Sequence, residues 1–238
     1  MTAERVADPP ANQSVQRAAR MLGLFSVDEP ELTLGELTAR LGMTKATAHR
    51  YATALRGAGL LRFSGGTYTL GPRIVELAAA ALAGLGVIRV ADPYLRQLVR
   101  ETSQTTVLSV WDGEAPVVVR AVENAERLVR IVVAAGSRLP TDSAQGKVFR
   151  AFLSDERDSE LEEVRLTRSA ANASVVEGVT AVAAPVFQGE EVVATLALVG
   201  TSAAIETSPG SPMVQALRRA AESLSTELGF VEAGRGGA

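Results

Sequence analysis

The sequence predicts two folded parts: a mainly α-helical winged helix-turn-helix domain, then an α+β domain built on a mostly antiparallel sheet. Three observations carry this. Residues 33–70, TLGELTARLGMTKATAHRYATALRGAGLLRFSGGTYTL, hold two short helical patterns across a tight turn. A two-residue Gly65-Gly66 turn joins strand-like segments directly behind the second of those helices. Beyond residue 86 the pattern runs helix, three strands, helices, hairpin, helix.

Residues 1–13 are poor in apolar side chains, contain Pro9-Pro10 and are expected to form a disordered arm. The winged helix is expected over 14–71. A first helix covers 14–25, with Ser14 as N-cap and Val15, Ala18, Ala19, Leu22 and Phe25 as its buried stripe. Asp28-Glu29-Pro30 breaks the chain. Thr33 and Glu36 then make a capping box, and Leu34, Leu37 and Leu41 give the short helix behind it an apolar face that stops at Gly42. The next helix opens at Thr44 or Lys45 and turns Ala48, Ala52 and Leu55 inward. Segments 60–64 and 67–70 form the hairpin, with Leu60, Phe63, Tyr68 and Leu70 expected in the core.

Pro72 suits the first position of a linker helix over 72–86. Ile74, Leu77, Ala78, Ala81, Leu82 and Leu85 make it more apolar than a linker needs, which suggests contact with another chain or with its own second domain. That domain, 87–238, is expected to hold a helix at 87–101 bent near Asp92-Pro93 and strands at 105–111, 116–122 and 128–133. Turns fall at Asp112-Gly113 and Asn124-Ala125. A loop at 136–146, a helix at 147–153, a charged helix at 155–166 and a loop-like stretch at 169–174 follow. Strands 181–187 and 191–200 form a hairpin, and a last helix covers 212–228.

Composition removes several kinds of chemistry. There is no cysteine, so disulfides, thiolate metal sites and cysteine nucleophiles are out, and a reducing compartment is the natural one. The one histidine, His49, excludes multi-histidine metal sites and most Ser-His chemistry. No cofactor is expected. No apolar run reaches the roughly 18 residues that a membrane span needs, and the N-terminus lacks the apolar core of a signal peptide, so a cytoplasmic protein is expected with no membrane partner. Charge is uneven. Residues 1–75 hold nine Lys/Arg against six Asp/Glu, and residues 76–238 hold fifteen against twenty-one. A basic front and an acidic back fit a nucleic-acid module tied to one that avoids nucleic acid.

The second helix of the helix-turn-helix is the element expected to enter the major groove of double-stranded DNA. Thr44, Lys45, Ala46 and Thr47 sit at its N-terminal end, with His49 and Arg50 one turn on. Lys45 and Arg50 can reach guanine acceptors or phosphates, and Thr47 and His49 can donate or accept. Arg62 and Thr67 flank the wing tip. Arg17 and Arg20 on the first helix suit the surface better than phosphate contact. A dimer would read an approximate palindrome. Two other readings stay open: an enzyme using Asp112, Glu114, Asp142, Lys147 or Glu177 for acid–base chemistry, and a pure interaction module.

The segments SVQRAARMLGLF, LTLGELTARLGMTKATAHRYATALRGAGLL, GGTYTLGPRIVELA, GSRLP, Gly146-Lys147 and GVTAVAAPVF occur in this order, and the chain thereby resembles the IclR family of bacterial transcriptional regulators. The resemblance implies a winged-helix DNA-binding domain, a linker helix used in dimerisation and a GAF-like effector domain that binds small metabolites in dimers or tetramers. It implies repression as the commoner output. It places an effector pocket near Ser143, Ala144, Gln145, Thr180, Ala181, Ala197 and Val199. The chain departs from the family in places. A helix-rich segment is largely absent between Leu166 and Glu177, and the loop after GSRLP is a residue shorter. Ala181 replaces a frequent Cys, and Ala197 and Val199 replace two frequent Ser. An anion buried without donors costs several kcal/mol. A small neutral or apolar ligand, or none, is therefore the physical expectation, and an oligomeric domain without a ligand is the alternative.

Overall fold

The computed structural model describes residues 12–124, 131–173 and 175–229. The chain forms two compact units that divide between Leu82 and Ala83.

In the first unit, α1 (Gln13–Leu22) is capped by Asn12, whose side chain accepts from the Ser14 N–H. The cap is thus Asn12 instead of Ser14, and the helix ends at Leu22, short of Phe25. Val15 and Ala19 lie outside the core, Val15 being 64% exposed, and Met21 takes the fully buried place. The expected stripe assumed that the whole helix packs; only its last turn and the segment after it do. β1 (Leu32–Thr33) leads into α2 (Leu34–Leu41), where both halves of the capping box form: Thr33 accepts from the Glu36 N–H, and Glu36 accepts from the Thr33 N–H. α3 (Lys45–Gly57) buries Ala48, Ala52 and Leu55, as its spacing requires. β2 (Leu61–Ser64) and β3 (Thr67–Leu70) form the wing, and β1 adds to β3 as an unforeseen third strand, with Leu32 opposite Tyr68. Gly65 and Gly66 have φ of 60° and 91°, the left-handed pair that a tight hairpin of this kind demands. Leu61 and Tyr68 are buried, whereas Phe63 and Leu70 are 47% and 39% exposed. All four share one face of the hairpin, and the helices cover only part of it.

α4 (Pro72–Gly84) buries none of its side chains. The second unit opens with α5 (Gly86–Thr102), which contains Pro93. β4 (Thr105–Trp111) and β5 (Pro116–Val122) follow. Of the third strand expected at 128–133, residues 128–130 lie outside the described residues and 131–133 are irregular. The Ile131 carbonyl there accepts from Thr105 Oγ1 at 2.7 Å, a side-chain tie in place of a ladder. The expected turn at Asn124-Ala125 also reaches undescribed residues. α6 (Ala144–Leu153) starts three residues before the expected 147 because Ser143 caps it; α7 (Ser159–Thr167) starts later than expected, behind Asp158. β6 (Ala170–Asn172) is a strand where a loop was expected. Its sequence carries no strand signal, and pairing with β7 (Val179–Gln188) supplies the order. β8 (Glu191–Thr201) and α8 (Pro212–Glu227) complete the chain.

The five strands run β5-β4-β8-β7-β6, all antiparallel. Leu108, Val182, Ala184, Leu196 and Leu198 face α5 and α8, while Val107, Ala183, Ala197 and Val199 face α6 and α7. Helices cover both faces, so β7 and β8 read as continuous apolar runs without alternation.

Candidate nucleic-acid interface and effector-domain face

Thr44 caps α3. Its hydroxyl accepts from the Thr47 N–H at 3.3 Å and donates to Thr47 Oγ1 at 2.9 Å. Thr44 and Thr47 are therefore partly committed to holding the helix start. Lys45, Ala46, His49 and Arg50 are exposed, on the side away from Ala48, Ala52 and Leu55. The first turn carries no acidic side chain, so the positive end of the helix dipole is left uncompensated, which favours an approaching phosphate. The Arg50 guanidinium lies 5.9 Å from the Tyr51 ring centroid, a cation–π distance. Ser14 first, and then Arg17, hold the Tyr51 hydroxyl below its ordinary pKa by hydrogen bonding, which links α3 to α1. Sequence reasoning missed Tyr51. Its only signal was its place at the rim of the buried stripe.

At the wing, Arg62 is exposed on the face opposite Leu61 and Phe63. Thr67 is already engaged: its hydroxyl donates to Glu31 Oε2 at 3.0 Å and meets the Ser64 carbonyl at 3.1 Å. A phosphate reaching Thr67 would have to displace or tolerate that carboxylate, so Thr67 fits a wing-shaping part better than the contact expected of it.

In the second unit the residues expected around an effector do not all converge. Ser143, Ala144 and Gln145 are buried at the start of α6, and Ala181, Ala197 and Val199 lie on the sheet face beneath it. Ser143 Oγ is used as the helix cap, accepting from the Gly146 N–H at 3.1 Å. Thr180 is on the other face of β7 from Ala181, by simple alternation, and donates to Ser202 Oγ at 2.9 Å. Gly146 explains itself by close approach. A Cβ there would stand 2.4 Å from the Thr141 carbonyl oxygen, so no larger residue lets the 140–141 backbone lie against α6. Two polar groups on this face went unforeseen. Ser109 and Thr195 are cross-strand neighbours, both fully buried, and their hydroxyls have no hydrogen-bond partner among the described residues. The strand register carried that signal, since it sets Ser109 on the face of Val107 and Thr195 on that of Ala197.

The acid–base candidates form no common site. Asp112 caps its own turn and pairs with Arg138, which also holds Glu114; Lys147 pairs with Glu160; Asp142 and Glu177 are exposed. No group of three His, Cys, Asp or Glu among the described residues is placed to hold a metal ion, and no single described helix is long and apolar enough to cross a membrane.

An exposed basic helix beside a β-hairpin, followed by a separate helix-covered sheet, defines a winged-helix transcriptional regulator. Residues 14–65 match the IclR helix-turn-helix domain, and residues 79–175 match the bacterial transcriptional regulator IclR C-terminal domain. The chain belongs to the IclR family of DNA-binding regulators, a family of regulators and not of enzymes. It is 36% identical over 163 residues to the HTH-type transcriptional regulator Rv1719 of Mycobacterium tuberculosis, an alignment that spans 67% of this chain and 62% of that one. It is 28% identical to the HTH-type transcriptional regulator XynR of Escherichia coli over 93% of this chain and 99% of that one. Among solved structures, an IclR transcriptional regulator from Silicibacter sp. TM1040 superposes with a TM-score of 0.82 at 25% identity, covering 92% of this chain and 97% of that one. An IclR homologue from Microbacterium hydrocarbonoxydans in complex with 4-hydroxybenzoate shares the fold, with a TM-score of 0.71 at 22% identity, covering 91% of this chain and 99% of that one.

Proposed function

We propose that α3 reads an operator in the major groove, with Lys45, Ala46, His49 and Arg50 against base edges and phosphates, Thr44 and Thr47 fixing the helix start, and Arg62 on the flanking backbone. The observation that carries this is the division of α3 into a buried aliphatic stripe and an exposed basic face. The protein acts in the cytoplasm as a homodimer or tetramer. Support comes from α4, where Val75, Leu77 and Leu82 are 70%, 52% and 41% exposed. The operator is then an approximate palindrome with half-sites spaced by whole helical turns. Repression follows most simply, because a dimer seated on an operator occludes it.

The α6 face of the sheet is the place for an effector. Its floor of Ala181, Ala197 and Val199 offers no charge and no free donor, so the ligand is small and neutral or apolar. Any hydrogen-bonding group on it has Ser109 and Thr195 to meet deeper in. The ligand of the Microbacterium homologue is an aromatic acid; this chain's apolar floor suits a ring without the carboxylate. A second reading has support too. Ser143 is spent as a cap and Thr180 faces away, which favours a domain that only assembles the oligomer.

Arg50→Ala tests the first part. It should weaken operator binding by about 1–3 kcal/mol and leave the melting temperature unchanged. Unchanged operator affinity in a mobility-shift titration would overturn it. Melting shifts across a panel of neutral aromatics and matched acids separate a sensor from a scaffold.

A further inference from the structure

Beyond β6 the sheet ends, and a cleft of about 190 Å³ lies against that edge, walled by α6, α7 and the segment leading into α8. An apolar cavity of about 150 Å³ accommodates benzene, so this one takes a molecule of that order.

The strand register fixes what the edge presents. Pro185 has no N–H, so at its pairing with Thr195 it must turn its polar groups away from β8. Ala183 and Ala181 share that direction and bond to Ala170 and Asn172, which leaves the N–H and C=O of Ala171 facing outward. Lys147 reaches this point. Its side chain is only 14% exposed, and Nζ donates to Glu160 Oε1 at 2.5 Å and to the Ala171 carbonyl at 3.3 Å. An ammonium has three protons, so one remains for a ligand. Glu163 also lines the cleft and makes no ion pair among the described residues. Val164, Val182 and Val214 form the apolar part of the wall.

We propose that this cleft binds a small aliphatic α-amino acid. The remaining Lys147 proton and the Ala171 N–H take its carboxylate, Glu163 takes its ammonium group, and the valines take its side chain. A simple carboxylic acid would leave Glu163 unmatched and face its charge. A simple amine would leave the two donors unmatched. Only a molecule with both groups answers both ends. The cleft is separate from the Ala197 face beneath α6 and does not depend on how the protein reads DNA.

The test uses the full chain, with thermal shift and calorimetry against L-alanine, L-valine and L-leucine, then isobutylamine and isobutyrate as half-molecules. At least one of the amino acids should give a saturable shift, with either half-molecule weaker by about tenfold or more. Glu163→Gln, at an exposed site without an internal partner, should keep the ligand-free melting temperature and lose about ten- to hundredfold in affinity. Absence of any saturable shift, or undiminished binding by Glu163→Gln, would each overturn the proposal.

Discussion

Thr195 and Ser109 show how far a single hydroxyl's meaning depends on its surroundings. In the sequence they are ordinary strand residues; in the fold each is fully buried with no hydrogen-bond partner among the described residues, a state that costs about 1–3 kcal/mol. Thr195→Val, nearly isosteric, should therefore raise the stability of the ligand-free protein by about 1 kcal/mol in a denaturant titration. Asp112 is the opposite case, a polar group with every need met. Burial pushes its pKa up, but the N–H groups of Ala115 and Glu114 and the Arg138 guanidinium outweigh this and hold the carboxyl below its ordinary value. A group whose folded pKa is depressed stabilises the fold above the unfolded value of about 3.9 and loses that contribution as pH falls through the folded value. Its side chain is 35% exposed, so solvent screening keeps the effect modest. Asp112→Asn should cost about 1 kcal/mol at neutral pH and flatten the loss of stability as pH falls below about 4, measured by melting at each pH.

Elements in this chain start and stop where backbone groups find partners. The capping box at Thr33 was legible because it is local: a hydroxyl and a carboxylate three residues apart answer each other. Thr33→Ala should cost about 1 kcal/mol of stability, read as a fall in melting temperature. The start of α6 was less legible. Ser143 could be read as a loop residue until the fold set the 140–141 backbone against the first turn. Gly146→Ala should destabilise the second unit by about 1–3 kcal/mol, because backbone must move to admit one methyl group. β6 was invisible for a different reason. Ala-Ala-Asn has weak strand preference, and only a neighbour with open hydrogen-bonding groups makes it a strand.

At the scale of the molecule, α4 leaves its apolar residues exposed on a single chain. Such a surface is the one that the proposed homo-oligomer would cover. Leu77→Glu should shift the protein toward monomer in light scattering at micromolar concentration and weaken palindrome binding while half-site binding persists. A monomeric parent protein would defeat that expectation outright.

The sequence by itself determined the elements whose residues repeat at helical spacing or meet across a tight turn: α2, α3, the wing, the β7–β8 hairpin and α8. It also determined which residues of α3 face outward. These features depend on neighbours a few positions away, so pattern is enough. Tertiary structure alone decided the rest: that Thr67 serves Glu31, that Thr180 turns its back on Ala181, that Phe63 and Val15 lie outside the core, and that Ala171 opens onto a cleft. Each of those depends on a partner distant in the chain, and burial or pairing with such a partner leaves no mark on local periodicity.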